Sequence, residues 1–230
     1  MLLPRPVPDV PCVRIGSVLT VASGNPTITE LEVKRSRFIT CLTSAKTVEK
    51  AREVVAECRS TYPDARHHCS AFIVTPEGLN PQQHSSDDGE PSGTAGLPML
   101  QVLAGFDLEN VVAVVTRYFG GVLLGTGGLI RAYSQAVTRA VRKAPLVQVV
   151  TLPLVRAEVP VSFAGRVEAE LRRANWELVE VTWAETVCFE IAADTEKHAA
   201  LRELFATAVK QPIEVKVIGT IRHELPYTLD

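Results

Sequence analysis

The chain has 230 residues, 46% hydrophobic and 22% charged, with 15 prolines and 14 glycines. That is an ordinary globular composition, long enough for one large domain or two small ones, each with its own core. A formal net charge of −2 argues against coating nucleic acid through bulk electrostatics, and no apolar run approaches the ~20 residues of a membrane helix.

Residues 1–24 carry MLLPRPVPDVPCVRIG, which its prolines interrupt, and read as an extended arm rather than a signal peptide. Thr27 to Val33 and Arg37 to Leu42 suggest two strands joined at a basic Lys34-Arg35-Ser36 turn. Val48, Ala51, Val54, Val55 and Cys58 recur at helical spacing, and Pro63 stops that helix. His67 to Thr75 alternates as a strand does. Pro76 to Pro91 reads as a loop, of a length that is usually functional or disordered. Thr94 to Leu103 predicts a short helix and Asn110 to Tyr118 an apolar buried strand. Gly127 to Lys143 predicts a second good helix with Ile130, Tyr133, Val137, Ala140 and Val141 on one face. The pattern is a mixed α/β (α+β) domain over residues 25–150.

A new pattern begins near Leu152. It runs strand, helix, two strands around Ala184-Glu185, helix and final strand, the βαββαβ order of a ferredoxin-like domain over 151–230. Residues 1–151 hold 15 Lys/Arg against 13 Asp/Glu, and residues 152–230 hold 9 against 13. Any polyanion contact therefore belongs to the N-terminal part. In the C-terminal part Arg166, Arg172 and Arg173 alternate with Glu168 and Glu170, as on a solvated helix face, and that domain is expected to support or select partners. The five cysteines are scattered, odd in number and without a C-x-x-C pair, which suits reduced thiols in a cytoplasmic protein.

Chemistry concentrates between Ser85 and Gln135. Gly93, Gly120, Gly121, Gly125, Gly127 and Gly128 weaken helix and strand alike, so a particular backbone shape is required here. Gly120 to Gly125 has the gap of a P-loop, but Thr126 and Gly127 stand where Lys and Ser/Thr belong, and the match fails. Thr126 is a candidate N-cap, and the N–H groups of Gly127 and Gly128 beyond Gly125 can hold an anion, with Arg117 and Arg131 completing the charge. Otherwise the glycines allow close packing and the arginines pair with Asp87, Asp88 or Glu90. Those three carboxylates suit Mg²⁺ or acid–base work, or else a turn whose carboxylates cap the Thr94 helix and pair with nearby arginines, with Ser92 or Thr94 also able to act as the cap. No cofactor or metal site is expected beyond that Mg²⁺ alternative. His67 and His68 are adjacent on a predicted strand and face opposite sides, so they cannot share a metal. Lys34, Arg35 and Arg37 form the densest basic patch. Tyr118, Phe119 and Tyr133 offer stacking surfaces, or fill the core beneath the glycine loop.

The segments SDDGEPSGTAGLPML, VTRYFGG and LGTGGLIRAYS resemble the signature of the YigZ/Impact family. KRSRFIT (Lys34 to Thr40) and HHCSAF (His67 to Phe72) fall where that family has similar segments, and the resemblance covers residues 27 to 140. It implies an N-terminal domain similar to the second domain of a small-subunit ribosomal protein, and a ferredoxin-like C-terminal domain, both similar to domains of elongation factor G. It also implies a role in translation, since the eukaryotic relatives regulate translation under stress through a protein partner. The reading that follows is a non-enzymatic binding protein contacting RNA, the ribosome or a translation-associated protein. The alternative is an enzyme acting on a small phosphorylated or anionic substrate.

Overall fold

A computed structural model describes residues 17–76 and 79–229. Residues 1–16 of the expected arm lie outside the described residues. Of the remainder, Val18–Val21 is a strand, β1. The chain divides into two compact units, residues 18–149 together with the last residues from Glu224 onward, and residues 150–223.

The first unit is built on an antiparallel sheet. Its strands are β2 (Thr27–Val33), β3 (Ser36–Ser44), β4 (His67–Val74), β5 (Gln82–Ser86) and β6 (Val111–Tyr118), in the order β2-β3-β6-β4-β5. Helix α1 (Val48–Thr61) covers one face; α2 (Gly96–Gly105) and α3 (Thr126–Lys143) cover the other. The period of two divides β6 between the faces. Val111, Ala113 and Val115 pack with α2 and α3, while Val112 and Val114 pack with α1. That is why β6 reads as continuously apolar. The same parity sends Arg117 towards α3 and Tyr118 towards α1.

Helix α1 starts at Thr47, whose hydroxyl accepts from Lys50 N–H, and ends at Tyr62 before Pro63. Strand β1 pairs with the first residues of β7 (Leu146–Pro160), Val21 opposite Leu146. Two expectations fail here. The 76–91 loop contains the edge strand β5, whose polar Gln82 to Ser86 carry no hydrophobic alternation for a sequence reading to detect. Ile130 lies on the exposed side of α3, where the buried stripe is Leu129, Ala132, Tyr133, Ala136, Val137, Ala140 and Val141.

The second unit takes β7 from Val150 onward, then α4 (Val161–Arg173), β8 (Glu177–Trp183), β9 (Thr186–Ala192), α5 (His198–Val209) and β10 (Val215–Tyr227). This is the expected βαββαβ order, with the sheet arranged β10-β7-β9-β8. Val155, Ala157 and Val159 alternate inward to meet Phe189, Ile191, Leu171 and Phe205. On α4, Arg172 pairs with Glu168 and Arg173 with Glu170, as solvated i,i+4 and i,i+3 neighbours do.

Candidate nucleic-acid interface

Two polar constructions flank the α3 end of the sheet in the first unit, and they differ in how fully their groups are engaged. The acidic loop is saturated. Asp87 Oδ1 accepts from the N–H groups of Ala95 (3.0 Å) and Gly96 (2.8 Å), and Oδ2 from Gly93 N–H (2.8 Å). Asp87 therefore caps α2 from upstream, as the carboxylate reading of this turn expects, and the Thr94 hydroxyl, the other cap candidate, donates to Pro91 O. Burial pushes the Asp87 carboxyl up, but the three N–H donors outweigh it and leave it below its ordinary value.

Asp88, at positive φ, pairs through one oxygen with Arg59 and accepts His68 N–H (2.7 Å) through the other. Its carbonyl lies 2.9 Å from His67 Nδ1, while His68 Nδ1 lies 3.1 Å from the Thr116 hydroxyl on the opposite face. Burial holds His68 below the ordinary histidine value. Glu90 is buried, and its Oε1 accepts from Arg117 Nη1 (2.7 Å) and from the Tyr133 hydroxyl (2.7 Å). Cys69 Sγ sits 3.3 Å from that hydroxyl and 3.0 Å from Asp87 O; burial pushes its thiol up to about 12, so it is no thiolate nucleophile at neutral pH. Among the described residues no group of three or more His, Cys, Asp or Glu is placed to hold a metal ion.

Arg117 belongs to this buried construction, with its Nε left without a hydrogen-bond partner. Only 6% exposed, it is bonded to Glu90, lies 3.4 Å from the Ser36 hydroxyl and sits between the rings of Phe38 (5.5 Å) and Phe119 (5.7 Å). The expected anion-binding arginine at this strand end is thus committed to the fold, and Tyr133 is fully buried rather than a stacking surface.

The basic construction is exposed. Lys34 and Arg35 form a two-residue hairpin, with Val33 paired to Ser36, and both sit at positive φ (47° and 65°). Such turns favour Asn-Gly because both central residues must adopt left-handed geometry; two long cations hold it here. The hairpin backbone presses on the loop after β6. A Cβ added at Gly120 would meet Arg35 C at 2.0 Å, and Gly120 N–H donates to the Ser36 hydroxyl (3.2 Å). Only glycine fits. On either side of Gly120 the loop exposes Phe119 (52%) and Leu123 (83%).

Helix α3 then begins at Gly125 (φ 68°), which serves as N-cap without a side-chain bond, so Thr126 is the first helical residue and not the cap. Gly127 and Gly128 occupy the first turn, which has no acidic residue. The exposed Arg131 turns its guanidinium back over that turn, 4.0 Å from where a Gly127 Cβ would stand. Arg37 is placed apart from this group. It is bonded to Glu30 (2.8 and 3.1 Å) and lies over the Tyr118 ring, whose hydroxyl donates to Asp64.

The structure thus gathers Lys34, Arg35 and the Gly120–Gly125 loop at the surface, with Arg117 buried beneath them, paired to Glu90. Ser36, Arg59 and Asp64 were not foreseen. Their partners Gly120, Asp88 and Tyr118 lie 84, 29 and 54 positions away along the chain, so no local pattern points to them. Among the described residues no helix is long and apolar enough to cross a membrane.

Comparison with known proteins places this unit. The Impact N-terminal domain matches residues 34–141. The chain is 36% identical over 188 residues to the IMPACT family member YvyE of Bacillus subtilis (strain 168), covering 81% of this chain and 85% of that protein. It is 50% identical over 112 residues to the IMPACT family member YigZ of Escherichia coli (strain K12), covering 49% of this chain but 55% of that protein. A crystal structure described as that of a hypothetical protein superposes with a TM-score of 0.56 at 34% identity, covering 90% of this chain and 99% of the other.

Proposed function

Because the chain belongs to the Impact family, we propose that it is a cytoplasmic binding protein of translation or its stress regulation, which presents the Lys34-Arg35 hairpin and the adjoining glycine loop to RNA on the ribosome. The observation that carries this is the hairpin itself. Left-handed geometry costs a non-glycine residue on the order of 1 kcal/mol, and here two adjacent cations bear it while exposed to solvent. A turn selected for stability alone has Asn-Gly. Arg131 and the acid-free first turn of α3 extend the cationic field along the same connection. The alternative of an enzyme working through the acidic loop has less support, because both oxygens of Asp87 and of Asp88 are engaged and Glu90 is buried in an ion pair.

Ribosome co-sedimentation and binding to ribosomal RNA across a salt titration test the proposal. Lys34→Glu with Arg35→Glu keeps the turn's strain and reverses its charge, and should abolish binding at moderate salt. Equal binding by the double variant, or none by the wild type at low salt, removes the RNA reading. Association that survives nuclease treatment points instead to a translation-associated protein.

A further inference from the structure

Resting on the RNA reading above, we propose that Phe119 is a stacking platform for an unpaired nucleobase, so that the RNA bound at the hairpin is single-stranded. The ring is 52% exposed, although a phenylalanine after a buried strand would ordinarily turn inward. It is also held. The Arg117 guanidinium lies 5.7 Å from its centroid, and that guanidinium sits 5.5 Å from the Phe38 ring, which meets Tyr133 edge-on at 5.2 Å.

Arg117, fixed by Glu90 and Ser36, therefore ties the Phe119 ring to Phe38 in the core. One side of the Phe119 ring is backed by a cation, and its exposed surface faces solvent. A ring ordered in advance loses little freedom on binding, and any base offers a π-face to it. Gly120, the next residue, lies against the Arg35 backbone, so the hairpin cations stand beside the platform where the phosphates flanking a stacked base would run. A duplex keeps its bases within its own stack and has no π-face to offer the side of a loop.

Fluorescence anisotropy with a labelled oligouridylate and with a blunt RNA duplex of equal length tests this on the full chain. Tighter binding of the single strand is expected. Phe119→Ala should weaken it about tenfold or more, the loss expected of one base–aromatic stack. Phe119→Trp should retain it, with its indole emission quenched on binding. Since residue 119 is exposed, unchanged thermal melts confirm that both variants fold. Equal affinity for strand and duplex, or an unaffected Phe119→Ala, overturns the stacking platform. If Lys34→Glu with Arg35→Glu still weakens binding in that case, the RNA reading stands without it. If neither RNA binds at low salt, both fail.

Discussion

The acidic loop and the basic hairpin are the densest runs of like charge in the first unit, and they have opposite fates. Around Asp87, Asp88 and Glu90 each carboxylate meets the chain's own donors: the N-terminal N–H groups of α2, Arg59 and His68, and the buried pair of Arg117 and Tyr133. At Lys34 and Arg35 the cations stand in solvent on a strained backbone. A run of charge in a sequence is therefore an ambiguous sign of function. What separates the two regions is whether the fold consumes the charge.

The sharpest way to break this contrast is to remove one partner of the buried pair. Glu90→Ala or Arg117→Ala should each cost about 3–5 kcal/mol by urea unfolding, because an uncompensated charge is left behind. Replacing both together, Glu90→Leu with Arg117→Met, should recover most of that loss. Single variants near wild-type stability would mean that the loop's charges are not structural.

A smaller effect is expected at the α2 cap. Asp87→Ala should cost about 1–2 kcal/mol, with backbone amides of α2 exchanging faster. The pH dependence has a definite sign. Asp87 titrates lower in the folded state than its ordinary value, so its contribution is present above that value and is lost as pH falls through the lowered one. His68 is likewise lowered by burial, so as pH falls below ~6.5 the unfolded chain takes up its proton first and stability declines. Both groups make the protein weaker in acid. Stability that rises below pH 6 would contradict this.

Smallest in energy is the hairpin. Lys34→Asn with Arg35→Gly installs the residues that such a turn favours and should raise stability by about 1 kcal/mol. Its use lies in the opposite sign expected for binding.

Much of this fold was legible because its elements carry local signals. Helical spacing and the Pro63 stop marked α1, the two-sided apolar run marked β6, and alternation gave the βαββαβ order of the second unit. Strand β5 was missed because an exposed edge built from Gln82 to Ser86 has no apolar period. The cap of α2 was legible as one of the loop's carboxylates, but not which one, because Asp87 lies nine residues before Gly96 rather than at the helix start. For the candidate site, the sequence marked the stretch and the basic patch, and left Arg117 either beside Arg131 on an anion or paired with the acidic loop. Only the pleat, which turns Arg117 inward to Glu90 and leaves Phe119 outside, decides between them. The left-handed geometry of Lys34 and Arg35 had no sequence signal at all, since these residues ordinarily avoid it.

The most direct test of the account compares wild type with Lys34→Asn/Arg35→Gly in two readings, unfolding free energy and the dependence of RNA affinity on salt. The account predicts a variant that is more stable yet binds more weakly. Its slope of log affinity against log salt should be shallower by about 1.4, corresponding to two lost contacts with single-strand phosphates. An equally steep slope and unchanged affinity in the stabilised variant would contradict it, and would leave the strained hairpin without a role in binding.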